Sequence, residues 1–68
     1  MECEVVSHHW KAILVHVHDS DKYLRFTRAN KSSQWKFKEV KHPVGAVATD
    51  REQQEALNAI TQFERWLN

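Results

Sequence analysis

The stretch from Asp50 to Leu67, DREQQEALNAITQFERWL, decides the fold. It contains no Gly, no Pro and no run of β-branched residues, so nothing in it interrupts a helix. At about 100° per residue, its apolar side chains gather on one side and most of its polar side chains on the other. The apolar side comprises Ala56, Ala59, Ile60, Phe63, Trp66 and Leu67, with Leu57 at its edge. This pattern predicts an amphipathic helix that covers another apolar surface.

The residues just before this stretch predict where the helix begins. Thr49 and Glu52 have the spacing of a capping box, in which each side chain accepts a hydrogen bond from the backbone N–H of the other residue. Asp50 adds negative charge at the positive end of the helix. Further upstream, Pro43 cannot donate to a β-ladder, so residues 43–49 are expected to form a connector rather than a strand.

Three segments with alternating apolar residues precede the connector and predict β-strands. They run from Trp10 to His18, from Tyr23 to Arg28 and from Gln34 to Lys41, and polar turns separate them. The segment from Glu2 to Ser7 alternates more weakly, and it is either a fourth, edge strand or a bent extension of the next strand. The residues expected to form the core are Ile13, Val15, Val17, Leu24, Phe26, Trp35 and Phe37 on the sheet, facing Ala56, Ile60, Phe63 and Leu67 on the helix.

These elements predict an α+β fold, a three- or four-stranded antiparallel meander with one C-terminal helix packed on one face. All 68 residues fit a single domain, with the sheet in residues 2–42, the connector in 43–49 and the helix in 50–67. A helix of this length spans about 27 Å and an eight-residue strand about 26 Å, so the helix can lie across the meander. In element order alone, the chain resembles the small sheet-plus-helix DNA-binding domains of tyrosine recombinases and AP2-type factors.

Charge and cysteine content set the expected environment and partners. The net charge is +1, but eight basic and only three acidic residues lie between His8 and Pro43, while both ends of the chain are acidic. Cys3 is the only cysteine, so no internal disulfide can form and a reducing, cytoplasmic setting is the simpler expectation. The acidic N-terminus and the absence of a long apolar run predict neither a signal peptide nor a membrane segment.

The first candidate site is the face of the sheet that carries the polar side chains of the alternating strands. Its outward residues are expected to be His16, His18, Tyr23, Arg25, Thr27, Lys36 and Lys38. Arg25, Lys36 and Lys38 suit contacts with phosphates, and Tyr23 suits stacking on a base or wedging between bases. An antiparallel sheet must also present one polar face to water, and Lys and Arg are common on such faces. This surface is therefore either a nucleic-acid site or ordinary solvated sheet.

Two histidines form a weaker metal candidate. His16 and His18 lie on the same face of one strand, and His8, His9 or Cys3 could supply a third ligand. A zinc site needs three or four converging ligands. Because the third is not identified, no metal or cofactor is expected, and the pair is more simply read as solvent-facing histidines.

Trp10 and Trp66 are the candidates for a protein interface. Trp66 lies at the flank of the helix's apolar arc, and Trp10 is expected to open the central strand. Each tryptophan either covers the edge of the small core or belongs to a contact surface, where Trp is enriched among the residues that dominate binding energy.

Catalysis finds little support in this sequence. Cys3 has no recognisable histidine partner, the serines lack the context of a nucleophile elbow, and a single glycine, Gly45, cannot form a Gly-rich phosphate loop. We therefore expect a small non-enzymatic binding module that acts on another protein or on a second copy of itself, of the kind that phages and other mobile elements encode as free-standing inhibitors or adaptors. The alternative is a nucleic-acid-binding domain. Neither a membrane nor a small-molecule substrate is expected as a partner.

Overall fold

The computed structural model describes residues 1–67 and shows the predicted α+β fold, with one helix packed on a four-stranded antiparallel sheet. The strands follow one another in the order β1-β2-β3-β4, so β1 and β4 form the two edges. The elements are β1 (Cys3–His8), β2 (Ala12–Val17), β3 (Lys22–Thr27), β4 (Lys36–His42) and α1 (Asp50–Leu67). Within residues 1–67, no helix is long and apolar enough to cross a membrane.

The N-terminal segment is a strand of its own because a tight turn separates it from β2. The backbone N–H of His9 donates to the carbonyl oxygen of Ala12 at 2.8 Å, and the N–H of Ala12 donates back to the His9 carbonyl at 3.3 Å. Trp10 and Lys11 therefore lie in this turn, and the prediction that Trp10 opens the central strand is wrong. At the next turn, Asp21 adopts a positive φ of 52°, a conformation that Asp tolerates better than most residues.

Both edge strands are irregular. In β1, Val5 pairs with Val15 and Ser7 with Leu14, which leaves Val6 as an extra residue between them. The pairing of β4 with β3 shifts twice in the same way, at Lys38 and at Lys41. Such bulges bend a strand and disrupt the ladder that an incoming strand would need. Neither edge is therefore a regular template for adding another strand.

The core lies where the sequence predicts it. All five of the predicted core residues on β2 and β3 are at most 1% exposed, and Ala48, Ala56 and Ile60 cover them from the connector and the helix. Trp35, Phe37 and Phe63 pack against this core and are partly buried. Within it, Phe26 and Phe37 meet edge to face, with ring centroids 5.7 Å apart.

The predicted burial of Leu67 is wrong, because Leu67 is 50% exposed. The helix packs mainly on β1 and β2. These strands have six residues each rather than the expected eight, so they span about 20 Å against about 27 Å for the helix. The last turn of α1 accordingly extends past the sheet that the rest of the helix covers.

The first turn of the helix is anchored by a buried carboxylate. The capping box is confirmed, since the Thr49 N–H donates to Glu52 Oε1 at 2.8 Å and the Glu52 N–H donates to Thr49 Oγ1 at 3.1 Å. The same carboxylate accepts hydrogen bonds from Ser20 Oγ at 2.5 Å and from Lys22 Nζ at 3.0 Å. Burial alone would raise the pKa of Glu52, but the bonds from Ser20, Thr49 and Lys22 outweigh it and lower the pKa to about 2.

A second polar cluster connects β3 to the last part of the helix. The Arg28 guanidinium lies over the ring of Trp35, 4.2 Å from its centroid, and donates from Nε to the carbonyl oxygen of Trp10 at 2.5 Å. Glu64 Oε2 accepts from Trp35 Nε1 at 3.1 Å and from Arg28 at 3.4 Å. These contacts fix Glu64 in place, so α1 is held on the sheet up to one turn before its end.

Candidate interaction surfaces

A groove between β1 and the second half of α1 carries the most exposed of the three tryptophans. It is lined by Cys3, Glu4, Val5, Ala59, Gln62, Phe63 and Trp66, and we call it the Trp66 groove. Trp66 is 77% exposed, and its ring centroid lies 6.4 Å from that of Phe63. The Phe63 ring also meets the His8 ring edge to face, with centroids 5.1 Å apart. The groove therefore has a packed apolar floor and one large, uncovered aromatic wall.

Acidic residues surround the Cys3 end of this groove. Burial raises the pKa of the Cys3 thiol, and the negative charges of Glu55, Asp19 and Glu52 raise it further. Glu4 lines the groove directly. The positive N-terminal amine acts in the opposite direction, but the net effect is a raised pKa, which favours the neutral thiol.

The structure does not bring the two predicted interface tryptophans together. Trp10 is 41% exposed, lies in the β1–β2 turn and is absent from the lining of the Trp66 groove. Its ring neighbours His9, with centroids 5.8 Å apart, and its carbonyl group is engaged by Arg28. Trp66, in contrast, covers little of the core, so the groove contains one exposed tryptophan rather than two.

The face of the sheet opposite the helix is basic at the end where β3 finishes. One groove there is lined by Lys11, Thr27, Arg28, Ala29, Ser33, Gln34, Lys36 and Lys38. A neighbouring hollow is lined by Ser7, His9, Ala12, Ile13, Leu14, Arg25 and Lys41. We call Lys11, Arg25, Lys36, Lys38 and Lys41 together the basic face. Three of its members, Arg25, Lys36 and Lys38, were predicted to lie here.

Most cations of the basic face have no carboxylate partner. Arg25 contacts Glu39 at 3.4 Å, and its Nε atom is buried without a hydrogen-bond partner in the described residues. No carboxylate of residues 1–67 lies within 4.0 Å of the ammonium groups of Lys11, Lys36, Lys38 or Lys41. The positive charge of this face is therefore largely available to an external anion.

A row of four aromatic rings crosses the same face near the β2–β3 turn. Tyr23 stacks on His16 with centroids 4.4 Å apart and an interplanar angle of 13°, and His18 lies 4.5 Å beyond His16. His42 meets Tyr23 edge to face, with centroids 6.2 Å apart and an interplanar angle of 63°. We call these four residues the ring row. The ring of Tyr23 therefore lies next to His16 and His18, the two predicted metal candidates, and is not an isolated aromatic ring among basic residues.

His16 and His18 are neighbours, but the structure gives them other partners. His16 Nε2 lies 2.7 Å from Asp21 Oδ1. The two nitrogens of the His18 ring each lie 3.9 Å from a glutamate, Nδ1 from Glu2 just before β1 and Nε2 from Glu4 in β1. Within residues 1–67, no three His, Cys, Asp or Glu side chains are placed to share a metal ion. His8 and Cys3, two of the proposed third ligands, lie on the helix side of β1.

Sequence reasoning missed several members of these surfaces for identifiable reasons. Lys41 joins the basic face through a β4 bulge, which strict alternation does not show. Phe63 was assigned entirely to the core, although it also forms part of the groove floor. Cys3 and Val5 do share one parity of β1, and matching that parity to Ala59 and Phe63 on the helix could have located the groove.

Comparison of the chain with protein-family models, curated proteins and solved structures finds no match. Function is therefore inferred from the Trp66 groove and the basic face themselves.

Proposed function

We propose that the protein is a small, non-enzymatic protein-binding module whose binding site is the Trp66 groove. The observation that carries this proposal is the 77% exposure of Trp66 beside an apolar floor. Large exposed apolar surface is unfavourable in water, and contiguous patches of it typically mark interaction sites. Trp is also enriched among the few residues that dominate the energy of protein interfaces.

The surroundings of the groove favour a basic partner. Glu4 lines it and Glu55 acts on Cys3 at its floor, so its potential complements lysine or arginine. The bulge at Val6 interrupts the free edge of β1 and argues against a partner that adds a strand. A partner helix that presents an apolar ridge flanked by Lys or Arg satisfies both features.

The chemistry of Cys3 supports a binding role over catalysis. A nucleophilic cysteine needs a lowered pKa so that the thiolate is available. Burial and the nearby carboxylates raise the pKa of Cys3 instead. We therefore assign Cys3 to the floor of the groove.

The proposal is tested by comparing Trp66→Ala with Arg65→Ala, a change at the neighbouring exposed helix position. A partner captured by the wild-type protein and then purified should bind Trp66→Ala more weakly by over about 1 kcal/mol, while Arg65→Ala binds nearly normally. Saturating amounts of this partner should also slow alkylation of Cys3 by iodoacetamide, because Cys3 lies under the bound surface.

Retention of full affinity by Trp66→Ala, or alkylation of Cys3 at an unchanged rate in the complex, would show that the partner binds elsewhere. Sedimentation velocity over a range of concentrations identifies the case in which the partner is a second copy. Self-association that Trp66→Ala abolishes would assign the groove to a homodimer.

A further inference from the structure

We propose that the basic face, together with the ring row, binds single-stranded nucleic acid. This second site goes beyond the proposed protein-binding function, because it lies on the side of the sheet opposite α1 and shares no residue with the Trp66 groove. A chain with both sites could join a nucleic acid to a protein partner.

The first support is the difference between paired and unpaired cations. Lys22 and Arg28 pair with the helix carboxylates of Glu52 and Glu64, at 3.0 and 3.4 Å. The four lysines of the basic face have no such partner within residues 1–67, although they cluster on one surface. A polyanion that contacts them gains free energy by releasing its condensed counterions.

The distribution of charge over the whole molecule favours the same orientation. α1 carries four acidic and two basic residues and lies on the opposite side of the sheet. An approaching polyanion is therefore repelled by the helix side and attracted to the lysines on the sheet side, rather than to the His16–His18 end of the ring row, where Asp21, Glu2 and Glu4 lie. Within residues 1–67, the only carboxylate within 4.0 Å of a cation of the basic face is that of Glu39, which lies 3.4 Å from Arg25.

The second support is the ring row, which supplies aromatic surface beside the cations. Tyr23 and Arg25 lie two residues apart on β3 and face the same side, so they are separated by about 7 Å. His16 stacks on the Tyr23 ring in a nearly parallel plane, whereas His42 meets the same ring edge to face at 63°. Aromatic rings next to cations on an open sheet are how many proteins hold unpaired bases and their backbone.

The dimensions of the sheet favour a single strand over a duplex. Four strands spaced about 4.8 Å apart extend about 14 Å from first to last, before side chains are added. The major groove of DNA is about 12 Å wide and admits a helix or a two-stranded ribbon. The full four-stranded sheet is therefore wider than this groove, whereas a single strand can lie flat across the lysines and the rings.

The test measures fluorescence anisotropy with a labelled oligothymidylate of about 15 nucleotides and with a duplex of the same length, at about 20 and 200 mM salt. We expect the single strand to bind more tightly than the duplex, with affinity that falls steeply with salt. Lys36→Gln combined with Lys38→Gln should reduce the slope of log K against log salt by about 1.4, which corresponds to two lost phosphate contacts. Tyr23→Leu should weaken binding about tenfold at both salt concentrations, because stacking is lost.

The matched control is Arg51→Gln combined with Arg65→Gln, which removes the same net charge from exposed positions of α1. This variant should bind like the wild-type protein. Two results with the wild-type protein would overturn the proposal: no binding of the single strand at low salt, or a duplex bound at least as tightly as the single strand. Two results with the variants would do the same: an equal loss of affinity in the lysine and the arginine double variants, or full affinity in Tyr23→Leu. Circular dichroism of each variant confirms that the fold is retained. None of these results depends on the Trp66 groove, so the two proposals succeed or fail separately.

Discussion

The two ends of α1 are built in opposite ways. At the first turn, the charged side chain of Glu52 is buried and takes hydrogen bonds from the sheet, the connector and the β2–β3 turn. At the last turn, the apolar side chains of Trp66 and Leu67 project into solvent. One helix end is thus anchored to the sheet by a buried carboxylate, and the other is the end that we propose for partner binding.

Replacement of Glu52 should give the largest loss of stability. Glu52→Ala leaves Lys22 without its carboxylate and removes the capping partner of Thr49, so we expect a loss of about 3–5 kcal/mol in the free energy of unfolding. Urea denaturation at neutral pH measures it. The control Asp50→Asn removes an exposed charge from the same turn and should cost at most about 1 kcal/mol. If both variants lost a similar amount of unfolding free energy, then any negative charge in the first turn, and not the buried hydrogen-bond network of Glu52, would account for the stabilisation of the helix.

The buried Glu52 carboxylate should also make the free energy of unfolding depend on pH, by a somewhat smaller amount than its replacement costs. The pKa of Glu52 is lowered from its ordinary 4.5 to about 2 in the folded chain. Its ionised form therefore stabilises the fold fully above pH 4.5, and this contribution disappears as the pH falls toward 2. It amounts to up to about 3 kcal/mol.

Urea denaturation of the wild-type protein and of Glu52→Gln at pH values from 6 down to 2 measures this contribution. The stability of the variant should vary less over this range. An identical decline in both proteins would assign the acid sensitivity to other carboxylates.

The contrast between the two ends also shows what the sequence can and cannot predict. The helix boundaries and the five core residues from Ile13 to Phe26 follow from periodicity and capping, which are local properties. The burial of Glu52 does not, because it depends on Ser20 and Lys22, more than 29 residues away in the chain. The exposure of Trp66 depends on the true length of the strands, and strand ends are set by turns such as that at His9 and Ala12. The basic face was predicted in part, and its remaining members depend on the β1–β2 turn, which carries Lys11, and on a β4 bulge, which carries Lys41.

The smallest expected effect on stability is that of Trp66→Ala. Its side chain is 77% exposed, so truncation removes little buried area, and the free energy of unfolding should change by no more than about 0.5 kcal/mol. Ile60→Ala, on the same helix but 1% exposed, should cost about 2–5 kcal/mol and provides the comparison. Urea denaturation of the two variants beside the wild type measures both values. A loss above about 1.5 kcal/mol in Trp66→Ala would place the ring in the core and remove the reason to regard it as a contact residue. A negligible loss, combined with weakened partner binding, would show that this end of the helix serves binding at almost no expense to the fold.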